Sequence, residues 1–258
     1  MINSLRQLYA YRQMLYSLVL TDLRTRYKGS LLGFLWTFLN PLLMLVVYSV
    51  IFSTIMRINI ENYPMFLFIG LLSWNFFSNS IIASAGVVIR QGNLVKKIYF
   101  PRIILPLSVV GAGLVNFLLS IVILVPALYL FGLPLSVNAI YFLLILVIQT
   151  IFTIGLSFIV SSLNVYFRDL EHILTILLMV WFYLTPVLYT ADMVPVQFKY
   201  LFELNPMNPI ITAYHNIFYD HITPDFLSLA IIFIIGIIML ISGSLLFQRL
   251  QKKFAEEL

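Results

Sequence analysis

Long apolar runs broken by short polar connectors govern the reading of this chain. The hydrocarbon core of a bilayer is about 30 Å thick and takes roughly 20 residues of helix to cross. Six stretches meet that demand, at residues 31–56, 63–89, 103–131, 139–163, 171–190 and 226–248. Within them the residues that ionise near neutral pH are Glu171 and His172, both at the mouth of the fifth. Pro41, Pro106, Pro126 and Pro186 interrupt these stretches, which helices packed in a membrane bundle tolerate because neighbours satisfy the freed backbone groups.

Two segments follow other patterns. In residues 1–30, Leu8, Leu15, Val19 and Leu23 recur at helical spacing, while Arg6, Gln13, Ser17, Arg24 and Lys28 mark another face. That predicts an amphipathic helix lying in the membrane interface, either as an anchor or packed beside a partner. It is not expected to be a signal peptide, because Arg6, Arg12, Arg24 and Arg26 break the apolar core that one requires. Segment 191–225 is too apolar for a solvated loop, and Pro195, Pro206, Pro209 and Pro224 punctuate it. It predicts two short helices. The first carries Phe198, Tyr200, Leu201 and Phe202, the second Ile210, Ile211, Tyr214 and Phe218. The pattern fits a re-entrant pair dipping into the outer leaflet or an interfacial loop held by aromatic anchors.

Composition supports the membrane reading. Of 258 residues, 62% are apolar and 10% charged, with a mean hydropathy of +1.02, whereas soluble domains carry about 25% charged residues. The expected fold is an all-α integral membrane protein with six transmembrane helices, an N-terminal interfacial helix and a re-entrant outer segment before the last span. It forms a single transmembrane domain over 1–258. The absence of cysteine excludes disulfides and thiol chemistry.

A net charge of +5 and a pI near 9.4 suggest an acidic partner until the charges are placed. Six spans put both termini and the connectors at 90–102 and 164–170 on one side. That side holds every Lys and Arg except Arg57 and Lys199. The excess marks it as cytoplasmic, so the basic balance reports topology and no nucleic acid is expected.

The chemistry that is missing narrows the function. No glycine is followed by lysine, so no G-x-x-x-x-G-K-[ST] phosphate loop exists. His172, His215 and His221 lack metal-ligand spacing. No carboxylate sits in mid-span, where ion-coupled carriers keep them. Catalytic, cofactor and metal residues are all expected to be absent from this chain. A conduit driven by another subunit remains.

Motifs spread along the chain resemble the membrane subunits of ABC-type polysaccharide exporters, the permeases for O-antigen, capsule or teichoic acid. They are Arg26-Tyr27-Lys28-Gly29-Ser30, Leu32-Gly33-Phe34-Leu35-Trp36, Asn40-Pro41, Trp74-Asn75-Phe76-Phe77-Ser78-Asn79-Ser80 and Gly92-Asn93-Leu94-Val95-Lys96-Lys97-Ile98-Tyr99-Phe100-Pro101-Arg102. Further on come Leu163-Asn164-Val165-Tyr166-Phe167-Arg168-Asp169-Leu170, Thr185-Pro186-Val187-Leu188-Tyr189 and Asn205-Pro206-Met207-Asn208-Pro209. The resemblance implies a homodimer in a bacterial inner membrane, two ATPase subunits that bind ATP and Mg, and a lipid-linked or polymeric polysaccharide as cargo. It also implies that 91–102 holds the coupling segment, with Lys96, Lys97, Ile98, Tyr99, Phe100, Pro101 and Arg102 meeting the ATPase. Apolar side chains inside a charged rim suit such docking.

The same resemblance places a gate helix at the start of the fifth span, with Arg168, Asp169 and Glu171. Asp169 has the chemistry of a helix cap, and Glu171 favours the helix's positive end. Phe34, Phe38, Tyr48 and Phe52 fall on one stripe of the first span, and Trp181, Phe182 and Tyr183 crowd the fifth. Aromatic faces suit the C–H faces of sugars, so these are candidate conduit residues, with helix packing or lipid contact as the alternative. The rival functions are a permease for a drug or lipid, a membrane-embedded glycan-modifying enzyme, and a secondary carrier.

Overall fold

Uncharged runs of Leu, Ile, Val and Phe leave backbone groups only one another to bond with in hydrocarbon, and the helix satisfies them all within one segment. The computed structural model describes residues 9–26, 32–48, 50–51 and 61–258, and no strand occurs among them. The helices are α1 (Arg12–Arg26), α2 (Trp36–Tyr48), α3 (Tyr63–Arg90), α4 (Gly92–Lys97), α5 (Ile104–Leu130), α6 (Phe142–Asn164), α7 (Leu170–Tyr183), α8 (Lys199–Glu203), α9 (Met207–Phe218), α10 (Phe226–Leu250) and α11 (Phe254–Glu257).

Four stretches are long and apolar enough to cross a membrane: Tyr63–Arg90, Ile104–Leu130, Val137–Asn164 and Phe226–Lys253. They match the second, third, fourth and sixth expected spans. The first and fifth appear as the shorter helices α2 and α7, of 13 and 14 residues, about 20 Å each at 1.5 Å per residue. Pro41 lies inside α2. Pro186 follows the Leu184 cap of α7 by two residues, where a residue without an N–H cannot continue a helix.

Helix ends follow local chemistry. Gly132 takes φ +77 just past α5. Its N–H reaches Tyr129 O at 3.2 Å and the Leu133 N–H reaches Leu128 O at 2.9 Å, the paired bonds of a Schellman stop. Asp225 starts α10 by accepting the Leu227 N–H at 3.0 Å and the Ser228 hydroxyl at 2.5 Å.

Helix α3 is the hub, buried on nearly every face and packed against α5, α6 and α9. Helix α10 lies against α6 at backbone distance. A Cβ added to Gly155 would stand 2.6 Å from Leu240 N, and one added to Gly243 would stand 2.5 Å from Gly155 O. Small residues permit that approach, and close backbone packing drives helix association in lipid.

On α1, Leu15, Val19 and Leu23 are half-buried while Gln13, Ser17 and Arg24 are exposed, as the two-faced pattern predicts. Val19 packs against Gly111 of α5. Leu8, Arg6 and Lys28 lie outside the described residues, as does the side chain of Arg26.

Segment 191–225 is no solvated loop. Met207, Ile210, Ile211, Tyr214 and Ile217 of α9 are fully buried against the long helices, whereas Phe198, Tyr200 and Leu201 around α8 are exposed. Asn205 locks the segment to the end of α7. Its side chain accepts from Trp181 Nε1 at 2.7 Å and from the Met207 N–H at 2.9 Å, and donates to Leu184 O and Thr185 Oγ1 at 3.1 and 2.9 Å. Deeper, the Gln149 amide donates to Ser73 O at 2.9 Å and accepts from the Tyr214 hydroxyl at 2.9 Å, joining α3, α6 and α9. His215 Nε2 lies 3.0 Å from Phe66 O with its ring stacked on Phe66 at 3.9 Å, a structural role.

Candidate functional site

The basic connectors gather at one end of the bundle. Helix α3 ends at Arg90, α4 makes little more than one turn, and Ile98 then adopts extended backbone at φ −127, ψ 137. Beyond it Tyr99 stands 95% exposed and Phe100 only 6%. Phe100 packs with Val95, Ile103, Val165, Phe247 and Phe254. The apolar face expected from Ile98, Tyr99 and Phe100 together is therefore reduced to Ile98 and Tyr99, with Phe100 withdrawn into the chain's own core. Lys96 and Lys97 are exposed beside them, and Pro101 and Arg102 are half-buried. A groove of about 420 Å³ runs along this segment, lined by Tyr11, Ile98, Tyr99, Arg102, Gln248 and Lys252.

The C-terminal residues brace this surface. Arg102 donates to Gln251 O, the Tyr166 hydroxyl donates to Leu250 O at 2.9 Å, and Arg168 Nη2 donates to Glu257 O at 3.3 Å. Phe254 is fully buried, its ring centroid 5.4 Å from that of Phe247 and 6.3 Å from that of Tyr166. The tail thereby ties the 98–102 segment to the connector before α7. Sequence reasoning missed it, although Phe254 standing alone in a polar tail was a signal.

At the start of α7 the expected cap is not used. Asp169 makes no capping bond; Asn164 Oδ1 instead accepts the Glu171 N–H at 3.1 Å. Asp169 itself takes helical dihedrals, φ −71 and ψ −12, whereas capping side chains favour extended backbone. Glu171 pairs with Arg90 at 3.2 Å, bridging α3 to α7. The bridge lies over Gly86, where a Cβ would stand 2.2 Å from Arg90 Nη1 and 2.5 Å from Glu171 Oε2. With side chains 51% and 36% exposed, the pair contributes about 0–1 kcal/mol and suits a contact that forms and breaks.

The three aromatics of α7 do not share one lining. Trp181 turns inward, edge-on to Phe77 at 5.2 Å and to Trp74 at 6.4 Å, with its Nε1 held by Asn205. Phe182 and Tyr183 border a cleft of about 290 Å³ between α3 and α7 that also holds Asn75, Ser78 and Thr175. Phe38 is half-buried on α2. Phe52 lies outside the described residues, as do the side chains of Phe34 and Tyr48.

Comparison with known proteins places these features in context. The profile of a family described as "ABC-2 type transporter" matches residues 13–219. The chain is 40% identical over 260 positions to an O-antigen export system permease protein, RfbA, of Myxococcus xanthus, covering all of both chains. It is 38% identical over 236 residues to an RfbA protein of Klebsiella pneumoniae, covering 91% of each. It is 23% identical over 218 residues to the capsule polysaccharide export inner-membrane protein CtrC of Neisseria meningitidis, covering 79% of this chain and 78% of CtrC.

Proposed function

Because the chain belongs to the ABC-2 type transporter family, we propose that it is the membrane-spanning subunit of an exporter that moves a lipid-linked or polymeric polysaccharide outward. The observation that carries this reading is 40% identity along the entire length of an O-antigen export permease. The chain is a transporter's membrane subunit rather than an enzyme, so ATP and Mg belong to a separate ATPase.

Two copies of this chain and two ATPase subunits form the working unit, set in a bacterial inner membrane with both termini cytoplasmic. Each copy is one permease domain over 1–258 and crosses six times. The apolar helices α2 and α7, at the positions of the first and fifth expected spans, support that count. Segment 191–225 enters the outer leaflet from outside; its buried α9 beside an exposed, aromatic α8 supports this. The exposed Ile98 and Tyr99, rimmed by Lys96, Lys97 and Arg102, supply the ATPase contact. The Arg90–Glu171 bridge ties α3, whose end leads into the coupling segment, to the gate helix α7, so motion at one is felt at the other.

The test is deletion and complementation in the source cell. Loss of this chain should leave polymer inside the cell and remove it from the surface, and restoring the chain should reverse both. Preparations of the purified chain should show ATP hydrolysis only after its ATPase is added. Unchanged surface polymer in the deletion strain overturns the reading.

A further inference from the structure

A cavity of about 730 Å³ opens between α2, α3 and α5, within the size range of ligand pockets, and four asparagines from three helices converge on it. They are Asn40 of α2, Asn75 and Asn79 of α3, and Asn116 of α5, joined by Ser80 and Ser120. Asn75, Asn79 and Ser80 lie near the middle of α3, and Asn116 near the middle of α5. These amides therefore sit deep in the hydrocarbon layer, where polar groups must find partners.

Among the described residues the partners are missing. Both amide atoms of Asn116 and the hydroxyl of Ser80 are buried without a hydrogen bond, and Ser80 is 2% exposed. Gln149, by contrast, is satisfied at a similar depth by Ser73 and Tyr214. The Gln149 network is closed by protein groups, whereas Ser80 and Asn116 face the cavity with theirs open. Gly113 brings the two open groups together. A Cβ there would stand 2.5 Å from Ser80 Oγ, so any larger residue would turn that hydroxyl away, and Asn116 lies one turn further on.

We propose that this cavity is a binding subsite for the hydroxyl groups of an uncharged sugar, a proposal that rests on the exporter reading. A carboxamide offers a donor and an acceptor together, as a hydroxyl does. The Phe76 and Phe117 rings, stacked at 5.5 Å and 18°, belong to the lining and suit the C–H face of a pyranose. Among the described residues no charged side chain lines the cavity, and a lining of amides and hydroxyls suits a neutral group better than a phosphate or carboxylate. A neutral stretch of the polymer is the part that fits, passing through several weak, exchangeable bonds.

The absence of cysteine permits a direct test in membranes containing the permease and its ATPase. Leu72→Cys and Val47→Cys each place one thiol in the lining without removing an amide. Labelling by a small, charged, water-soluble thiol reagent is compared between cells that make the polymer and cells whose polymer synthesis is blocked. Labelling should proceed without polymer and slow at least tenfold with it. Equal labelling in both, or none in either, overturns the proposal. In parallel, Asn79→Leu with Asn116→Leu should lower surface polymer at least tenfold per folded permease, and parental export by that variant also overturns it. Should that variant fail to accumulate, the labelling comparison decides. If the parent chain itself restores no surface polymer to a deletion strain, it is the exporter reading that fails.

Discussion

Alanine at Tyr99 and alanine at Phe100, adjacent aromatics in one connector, should produce opposite phenotypes. Tyr99 is 95% exposed, so its loss should change the permease's own stability by no more than about 0.5 kcal/mol. As an anchor for the ATPase, it should cost about 2 kcal/mol of docking, roughly a thirtyfold weaker complex. Phe100 is 6% exposed among Phe247, Phe254, Val95 and Val165. Its truncation leaves a cavity in that cluster and should destabilise the fold by about 3–5 kcal/mol. Any loss of ATPase binding there should follow loss of folded permease. The assay pairs thermal unfolding of detergent-solubilised permease with titration of the purified ATPase. Tyr99→Ala should melt like the parent and bind weakly; Phe100→Ala should melt early. A Phe100→Ala protein that melts with the parent, or a Tyr99→Ala protein that binds within threefold of it, refutes the division of this connector into an outer and an inner face.

Other positions offer equally sharp tests. Gly155→Leu should destabilise the α6–α10 pair by about 1–3 kcal/mol or more, because the new side chain meets backbone of Met239 and Leu240 that cannot rotate away. Gly111→Ala, which meets only Val19 Cγ2 at 3.2 Å, should be milder, and equal melting temperatures for the two would contradict the close-approach argument. Gln149→Leu should cost about 1–3 kcal/mol by stranding the buried Tyr214 hydroxyl. Adding Tyr214→Phe should recover part of that loss in the same melting assay; full additivity would deny the bond its role.

Much of the architecture was legible in the residues because lipid removes alternatives. An uncharged run such as 103–131 has helix as its way to satisfy its backbone, and α5 spans Ile104–Leu130 accordingly. The alternation of polar and apolar positions along α1 likewise named its packed face. The 91–102 connector was harder. Reading 91–102 as one docking element treated Ile98, Tyr99 and Phe100 as one face, whereas Phe100 turns into the cluster of Phe247 and Phe254 and leaves Ile98 and Tyr99 outside. The cap of α7 was misassigned for a related reason. Asp169 stands at the conventional position, but its dihedrals are already helical, and Asn164 reaches the Glu171 N–H across the turn.

What the sequence determined by itself was therefore whatever depends on composition over a window: the membrane as solvent, the apolar spans, the basic connectors, and the motifs that carry the family. Tertiary structure alone decided which distant side chains meet. Phe254 closing over Phe247, Glu171 reaching Arg90 across 81 positions, and Asn40, Asn79 and Asn116 opening on one cavity all depend on helix rotation and approach. Those are set by packing at single residues such as Gly113 and Gly155, whose missing Cβ atoms fix how closely two helices come together. Such contacts leave no periodic trace along the chain, because each is a single close approach between segments far apart in sequence.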